Sequence, residues 1–574
     1  MTRRRAAWGG AALAVATVAL LVVSRGKWSD PIIDSGREWI VPDGLARGEL
    51  LYRDVVYWFG PFTPYYQAAF FKVFGSSFAT LVLAGAVAAA LTLAVLYFVL
   101  RRVTDRGSAA LWTALTIPAL VFMPNAGGAL LGMGYRIWHA AAFTLAAVVL
   151  ASRPRISERW SPVLAGVCAG LAGLCRTEWG LAAIGAAAFA SMLRSRRRTR
   201  GAADAALAGL AFAVTFGVGL GVFVWRAGAD AVLRDGPVLL VGLPSETRAS
   251  LAILSGGLDW RGGIPELAYS AACWTGLLAL ALLAARASEP DRRRWLAVLL
   301  ASVAVLAGAA ALGGGGDAVF FSAAPLASVA ALIAGIRRAH GSRAATLAAC
   351  GFLGLVLSYR RPFHIGDAPY VAPPLLFAVV AAAGLTHLAV VRLHGRGARG
   401  RAARIVQWGL AGILAAVFAG RLWRYGAMDE VPIAGTSGML SARPELAAEI
   451  ERLAADLREK TRGDEGLVVF PEGEILNLLS DLRNPVRHRL YLPGYVTSRN
   501  ESEILADLER AAPAAVVFLR RPVSEYRRAL FGEDYGVVIR KWVEAHYDPS
   551  PGSGRGLGHP RFRLFLRRNP RPMR

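Results

Sequence analysis

Long stretches without a single charged residue constrain this chain more than any other feature. Residues 77–100, 205–225 and 318–336 each lack Asp, Glu, Lys and Arg. A helix of about 18 or more such residues is long enough to cross the hydrocarbon core of a bilayer. Across all 574 residues only 18% are charged, below the roughly one quarter that is usual in soluble domains. The sequence therefore predicts an α-helical polytopic membrane protein.

About thirteen segments are predicted to span the membrane. The first follows Arg3–Arg5, and because no good cleavage site comes after it, we interpret it as a retained span rather than a signal peptide. The others are expected at about 77–100, 108–124, 137–152, 161–175, 178–193, 203–225, 266–285, 295–312, 318–336, 344–359, 371–391 and 405–423. Together they form a predicted transmembrane domain over residues 1–425.

Arginine positions predict the orientation of these spans. If the N-terminus is cytoplasmic, each of the seven inside segments carries at least three arginines. The inside segments hold 26 of the 42 basic residues that precede residue 438, as the positive-inside rule requires. Most of the net charge of +25 is thus a topology signal rather than a nucleic-acid surface. We expect a multi-pass protein of the bacterial inner membrane, in contact with the bilayer and with no nucleic acid.

The C-terminal part has a different composition. In residues 438–574, 42 of 137 residues are charged, against 63 of the first 437. An amphipathic helix is expected at 444–461 and a second helix at 504–511, with strands at 466–470, 515–519 and 561–566. Helices alternating with buried strands favour a small soluble α/β domain. An odd number of spans would put this domain in the periplasm.

The first outer loop, residues 26–76, carries the most informative acidic residues. Asp30 before Pro31 suggests a helix N-terminus, and Asp34 and Glu38 would follow at one-turn intervals. Three carboxylates on one helical face raise each other's pKa, which suits a general base in a cleft. A helix cap with a solvated acidic face is the alternative. Asp54, among dense aromatic residues typical of a membrane interface or a sugar-stacking surface, is a further acidic candidate.

Charged residues at other outer span ends are candidates for binding a phosphate. Arginine and histidine there suit a lipid phosphate or pyrophosphate, through charge-assisted hydrogen bonds. The alternative is that these side chains extend to lipid headgroups. The candidates are Arg136 and His139 at the fourth span, Arg176 and Glu178 in a hairpin between spans, and Arg361 and His364 before the twelfth span.

Two regions of the chain resemble a known family. The first outer loop contains Asp34-Ser35-Gly36-Arg37-Glu38, Leu51-Tyr52-Arg53-Asp54 and Phe59-Gly60-Pro61, and a later hairpin reads Gly173-Leu174-Cys175-Arg176-Thr177-Glu178. These segments are similar to bacterial GT-C-type membrane glycosyltransferases, relatives of the protein mannosyltransferases, the lipid A aminoarabinose transferase and the Rgt galacturonosyltransferases. The resemblance implies a GT-C-like fold and sugar transfer from a polyprenyl phosphate to an envelope acceptor hydroxyl, with inversion.

The resemblance also assigns roles to residues. Asp34 would be the general base, and because the adjacent acidic pair often found in the family is absent, Glu38 and Asp54 also remain candidates. The side chains that would bind substrate or phosphate are Arg37, Arg136, His139, Arg176, Glu178, Arg361 and His364. The acceptor would be a lipid, a glycan or a protein.

The sequence also bears on metal chemistry and on functions other than sugar transfer. No Asp-x-Asp motif occurs, although cytoplasmic nucleotide-sugar enzymes usually hold a metal with one. This favours a lipid-linked donor, with no cofactor and no metal site, while a divalent metal stays open. The alternatives are a transporter or flippase of a lipid-linked substrate, and a non-catalytic envelope assembly protein. The first of these usually shows paired repeats and broken helices, and no clear internal repeat is visible here.

Overall fold

The computed structural model describes most of the chain. The described residues are 2–33, 35–124, 128–131, 135–152, 160–195, 197–237, 244–254, 260–287, 291, 295, 298, 302, 322–338, 341–358, 372–393, 396–461, 465–550 and 561–568. Asp34, Arg361 and His364 lie outside them, and so does most of the span expected at 295–312.

Helices dominate the first 426 residues. The first half contains α1 (Thr2–Val23), α2 (Ser35–Ala46), α3 (Phe62–Phe74), α4 (Phe78–Val103), α5 (Arg106–Thr116), α6 (Tyr135–Ala151), α7 (Trp160–Cys175), α8 (Thr177–Arg194) and α9 (Arg198–Ala227). There follow α10 (Ala229–Asp235), α11 (Ser245–Leu254), α12 (Trp260–Arg286), α13 (Ala324–Arg337), α14 (Ser342–Ser358), α15 (Ala372–Leu393) and α16 (Arg396–Gly426).

Four of the described helices are long and apolar enough to cross a membrane. They are α4, α9, most of α15 and most of α16. Shorter apolar helices include most of α1 and α14, together with α6, α7 and α13. A helix is therefore present at most of the predicted spans, while the number thirteen stays a prediction. The span expected at 108–124 is not one regular α-helix, because α5 ends at Thr116 and a π-helical turn containing Pro118 follows.

Small residues bring α7, α8 and α9 into close contact. A Cβ atom built on Gly180 of α8 would lie 2.5 Å from the Cα atom of Gly173 in α7. A Cβ atom on Gly166 of α7 would lie 2.1 Å from the carbonyl oxygen of Ala208 in α9. Membrane helices commonly pack through such small residues because their backbones can then approach closely. The hairpin of α7 and α8, with Arg176 between the two helices, is consequently held in a fixed place.

The C-terminal region contains helices and a four-stranded sheet. Its elements are β1 (Val431–Pro432), β2 (Ser441–Ala442), α17 (Pro444–Lys460), β3 (Leu467–Phe470), α18 (Ile475–Ser480), α19 (Glu501–Ala511), β4 (Ala515–Leu519), α20 (Val537–His546), β5 (Tyr547–Pro549) and β6 (Phe562–Arg567). The sheet order is β3-β4-β6-β5, with β3 and β4 parallel and β6 antiparallel to both of its neighbours. Each helix and strand expected here is present, and β1, β2, β5, α18 and α20 are additional elements.

The first outer loop packs directly against this C-terminal region. A Cβ atom built on Gly36 of α2 would lie 2.3 Å from the backbone nitrogen of Ile475 in α18. The backbone N–H of Val56 donates to the carbonyl of Arg487 over 3.0 Å. Near the start of the loop, Ser441 N–H donates to the carbonyl of Gly26 over 2.8 Å. The loop is therefore held by residues more than 400 positions away in the sequence.

Candidate functional site

A buried ion pair connects the first outer loop to the membrane helices. Glu38 lies in the first turn of α2 and Arg136 in the first turn of α6. The Nη1 atom of Arg136 is 3.1 Å from Oε1 of Glu38, and the two side chains are only 2% and 4% exposed. Each of these buried charges compensates the other, because either one alone would be an unpaired charge removed from water at a high cost in free energy. Two sequence candidates thus meet across 98 positions of the chain.

Aromatic residues of the loop complete the surroundings of Arg136. Its Nη1 also donates a hydrogen bond of 3.1 Å to the Tyr57 hydroxyl. The guanidinium carbon lies 3.9 Å from the centre of the Phe59 ring, a close cation–π contact. Burial raises the pKa of the Tyr57 hydroxyl, which therefore stays protonated. Arg136 is accordingly fixed in position by a carboxylate, a hydroxyl and a ring face.

Arg176 approaches the same aromatic ring from the α7–α8 hairpin. Its guanidinium carbon is 5.5 Å from the centre of the Phe59 ring. It forms an ion pair of 2.5 Å with Glu178, and the two side chains are 22% and 43% exposed. Gly60 makes this approach possible, because a Cβ atom there would lie 1.9 Å from the carbonyl oxygen of Leu174. The structure therefore brings Arg136 and Arg176 together at Phe59.

His139 lies one turn further along α6, among aromatic residues of α3. Its Nδ1 atom is 3.0 Å from the Thr63 hydroxyl oxygen. The rings of Tyr66 and Phe62 meet it edge-on at 4.6 and 5.7 Å. Its Nε2 atom is buried and has no hydrogen-bond partner among the described residues. These contacts pack the ring between α3 and α6.

A cavity of about 540 Å³, which we call the aromatic cavity, adjoins this group. Its walls come from the first outer loop, the α10 region and the C-terminal region, and include Arg37, Tyr57, Trp58, Phe59, Arg234, Asp235, His488, Arg489, Tyr495, Arg499 and Glu503. Trp58 and Tyr495 stack with ring centres 4.3 Å apart and an angle of 12° between the planes. The cavity lies within the usual size range of ligand sites. Aromatic rings beside charged groups are suited to binding a sugar that carries a phosphate.

Asp54 has a different environment from Glu38. Its Oδ1 accepts a hydrogen bond of 2.8 Å from Nε of Arg53, and its Oδ2 accepts one of 2.8 Å from the backbone N–H of Leu50. The side-chain hydrogen bond from Arg53 lowers the pKa of Asp54, so the carboxylate is ionised and stabilises a turn. The structure does not bring it to the Glu38–Arg136 pair.

The prediction that Asp30, Asp34 and Glu38 share one helical face is wrong for Asp30. The helix begins at Ser35, not at Pro31, and residues 31–33 form a turn. Oδ1 of Asp30 accepts the backbone N–H groups of Ile32 and Ile33 over 2.8 and 2.9 Å. An aspartate that hydrogen-bonds to the residues just after it favours a turn over a helix. Asp30 therefore does not share a helical face with Glu38.

Two arginines of the C-terminal region belong to the site but were missed in the sequence. Arg487 donates to the carbonyl of Tyr52 over 3.0 Å and to the carboxylate of Asp235 over 2.7 Å. Arg489 donates to the carbonyl of Ile40 over 3.0 Å. The Arg487-His488-Arg489 run was the only local signal, and nothing in it points to a loop more than 430 positions away.

Metal ligands are not grouped in the described part of the chain. No set of three or more His, Cys, Asp or Glu side chains there could hold a metal ion.

Comparison with known proteins gives one family match and several similar structures. The family model of dolichyl-phosphate-mannose-protein mannosyltransferases matches residues 59–219. This segment includes Phe59, Arg136, His139, Arg176 and Glu178. No curated protein is detectably related to the chain in sequence.

Two solved structures show the similarity in fold, and a third is less similar. ArnT from Cupriavidus metallidurans in the apo state is 12% identical, with a TM-score of 0.55 and 98% of each chain covered. The same protein bound to undecaprenyl phosphate is 13% identical, with a TM-score of 0.56 over 97% of this chain and 98% of that one. The oligosaccharyltransferase of Archaeoglobus fulgidus with zinc and sulfate is 12% identical, at a TM-score of 0.49 over 88% of this chain and 67% of that one. The resemblance to GT-C-type membrane enzymes is confirmed, and so is a largely helical membrane fold.

Proposed function

We propose that this chain, which has the fold of GT-C-type membrane glycosyltransferases, transfers a sugar from a polyprenyl phosphate to a hydroxyl group of an envelope acceptor. The observation that carries the proposal is the meeting of Arg136 and Arg176 at Phe59, beside the aromatic cavity, within the segment that the family model matches. The fold shared with ArnT, which has been solved with undecaprenyl phosphate, supports the class of donor. The reaction would take place on the outer face of the inner membrane.

Arg176 is the first candidate for binding the donor phosphate. Its ion pair with Glu178 is partly exposed, and exposed pairs contribute little stability, so a phosphate can replace the carboxylate. Arg136 has its charge balanced by the buried Glu38 and would act as a fixed hydrogen-bond donor and support for Phe59. Cationic donors fixed beside a leaving phosphate stabilise the negative charge that develops on it. Arg361 and His364 remain in the proposal as further cations.

Asp34 is the residue that we propose as general base. Glu38 is paired with Arg136, and Asp54 is paired with Arg53, so neither carboxylate is available without breaking an ion pair. Asp34 directly precedes the first residue of α2 and is therefore close to Glu38 along the chain.

The proposed step is a single displacement at the anomeric carbon. The carboxylate of Asp34 accepts the proton of the acceptor hydroxyl while its oxygen forms a bond to that carbon. The bond from the carbon to the phosphate oxygen breaks on the opposite side, so the configuration inverts and polyprenyl phosphate leaves. The aromatic cavity would hold a saccharide, with Trp58 and Tyr495 as its stacking surface.

The experiment compares Asp34→Asn with the matched control Asp30→Asn. Asp30 is itself exposed, and asparagine retains the oxygen that accepts its two backbone hydrogen bonds. Purified protein is supplied with labelled undecaprenyl-phosphate hexoses and pentoses and an envelope extract, and the release of undecaprenyl phosphate is measured. We expect the rate of Asp34→Asn to fall roughly 10²–10⁴-fold, as for the removal of a general base. Asp30→Asn should retain the wild-type rate.

Two results would contradict parts of this proposal. Unchanged turnover in Asp34→Asn would remove Asp34 as the base. If folded wild-type protein released sugar from none of the donors, the glycosyltransferase itself would be rejected. Movement of the intact donor between the leaflets of a vesicle, without sugar release, would instead favour a flippase.

A further inference from the structure

A second cavity lies next to the aromatic cavity and has a different chemistry. Its volume is about 620 Å³, and we call it the arginine cavity. Arg489 lines both cavities, whereas Arg136 and Arg176 line neither. Six arginines line the arginine cavity, from the first outer loop and from the C-terminal region: Arg53, Arg483, Arg487, Arg489, Arg510 and Arg567. Against them stand three carboxylates, Glu49, Asp54 and Glu465, so the lining has an excess of three positive charges.

The carboxylates of this cavity do not balance all of its arginines. Asp54 is paired with Arg53, and Glu49 is paired with Arg489. The acidic partners of Arg487 are Asp235 and Glu503, which line the aromatic cavity instead. Arg510 pairs with Asp507, which does not line the arginine cavity.

Two of the six arginines that line the cavity have no carboxylate partner among the described residues. Arg567 donates to the backbone carbonyl of Ala512 over 2.6 Å, which leaves its charge uncompensated. The side chain of Arg483 is exposed and makes no hydrogen bond or ion pair within the described part of the chain. Both guanidinium groups are accordingly able to bind an anion without first breaking an ion pair.

A buried donor adds to these groups. The side chain of Arg489 is 3% exposed, and its Nε atom has no hydrogen-bond partner in the described residues. A buried N–H without an acceptor costs free energy, which an acceptor oxygen from a ligand would recover. The lining of the cavity thus combines two uncompensated guanidinium charges with a buried N–H donor that has no acceptor among the described residues.

We propose that the arginine cavity binds a phosphate or pyrophosphate group, separately from the donor phosphate. Guanidinium groups match phosphate oxygens with two parallel hydrogen bonds, and a multiply charged phosphate would balance the charges of Arg483 and Arg567. The cavity is large enough for such a group with an attached sugar or glycerol unit. The phosphate would come either from a soluble or glycan-linked compound or from a phospholipid headgroup.

The test uses the full-length protein in detergent and does not depend on sugar transfer. The double variant Arg483→Gln/Arg567→Gln removes the two uncompensated charges without breaking an ion pair. The matched control is Arg452→Gln in α17, where an exposed arginine also has no side-chain partner in the described residues and lines neither cavity. Binding of inorganic pyrophosphate is measured by calorimetry, and phospholipids that remain with the purified protein are quantified by mass spectrometry.

Two outcomes would support the proposal and would tell the sources apart. If the source is soluble, the double variant binds pyrophosphate about 10-fold or more weakly than wild type, while the control stays within about 2-fold. If the source is a lipid, the wild type and the control retain anionic phospholipid that the double variant loses. The proposal is overturned if all three proteins bind pyrophosphate equally or not at all and carry the same lipids. An unfolding measurement on each variant serves as the control that its fold is intact.

Discussion

The carboxylate of Glu38 and the guanidinium of Arg136 lie 3.1 Å apart, and each side chain is almost completely buried. Glu38 belongs to the first outer loop and Arg136 to a membrane helix, so the pair fixes the position of one relative to the other. The same guanidinium contacts the Tyr57 hydroxyl and the ring of Phe59. The pair is therefore the contact on which the rest of the proposed site is built.

Glu38→Gln should destabilise the protein strongly, since it leaves the buried Arg136 cation without its counter-charge. We expect a loss of about 3–5 kcal/mol in the free energy of unfolding, the usual result of removing one partner of a buried pair. Glu178→Gln is the matched control because its pair with Arg176 is partly exposed, and it should cost at most about 1 kcal/mol. Denaturant unfolding in detergent measures the free energy of unfolding of both variants. Equal losses in the two variants would show that burial does not make the Glu38–Arg136 pair more important for stability than the Arg176–Glu178 pair.

Arg176→Gln should slow sugar transfer while leaving the fold intact. Removing a cation that stabilises the departing phosphate is expected to lower the turnover rate by about 10²–10³-fold. Arg176→Lys, which keeps the charge but loses the planar fork, should recover part of this loss. The control is Arg226→Gln at the exposed end of α9, which should turn over at the wild-type rate. A normal rate in Arg176→Gln would remove this residue from the donor site.

Tyr495→Ala should weaken the binding of the acceptor or of the sugar more than it changes the turnover rate. The ring stacks on Trp58 at 4.3 Å in the wall of the aromatic cavity, and its loss removes the stacking surface. An increase in KM of about 10-fold corresponds to the upper range of aromatic contact energies. Tyr495→Phe keeps the ring and should behave like wild type. A similar KM in Tyr495→Ala would exclude the stacked pair as a saccharide surface.

Asp54 should contribute stability that disappears in acid. The hydrogen bond from Arg53 lowers its folded-state pKa below the usual 3.8, so the unfolded state takes up the proton first as the pH falls. The contribution is therefore complete above about pH 5 and is lost as the pH falls through the folded-state pKa. Because Asp54 is partly exposed and its partner Arg53 is exposed, we expect at most about 1 kcal/mol. Unfolding measured from pH 6 to pH 3 should show a shallower decline in Asp54→Asn than in wild type.

Gly60→Ala should disturb the contact between the first outer loop and the α7–α8 hairpin. The added methyl group would lie 1.9 Å from the Leu174 carbonyl oxygen, and a backbone atom cannot easily move away. We expect a loss of about 1–3 kcal/mol, as for other overpacked positions. Gly217→Ala in α9 is the control, because a methyl group there meets no atom within 4 Å, and alanine should be neutral or stabilising. Sugar transfer should also fall in Gly60→Ala, because Phe59 and Arg176 would separate.

Short-range patterns predicted the elements of this fold well. The strand at 515–519 lies where a short apolar run indicates a buried strand, and the helix Pro444–Lys460 lies where an amphipathic pattern indicates one. The start of α2 was predicted too early, because the carboxylate of Asp30 satisfies a turn instead of a helix end. The local sequence cannot distinguish an aspartate that caps a helix from one that caps a turn before a proline, because the side chain provides the same hydrogen-bond acceptor in both cases.

Contacts between distant parts of the chain were only partly predictable. Arg136 and Arg176 could be selected because each is a charge at the outer end of an apolar segment. Their meeting at Phe59 depends on Gly60 fitting against Leu174, which periodicity does not encode. The same holds for Arg487 and Arg489, whose positions follow from how the C-terminal region packs on the loop.

The hydrogen bonds from Arg487 and Arg489 to the first outer loop set an order of events during synthesis. The carbonyl groups of Ile40, Tyr52 and Arg53 receive these bonds. Residues 40–53 leave the ribosome more than 430 positions before their donors do. Because chains fold as they are made, the loop must stay incomplete until Arg487 and Arg489 have been synthesised and have packed against it. A nascent chain that stops near residue 430 would therefore have helices α1 to α16 but not the completed first outer loop.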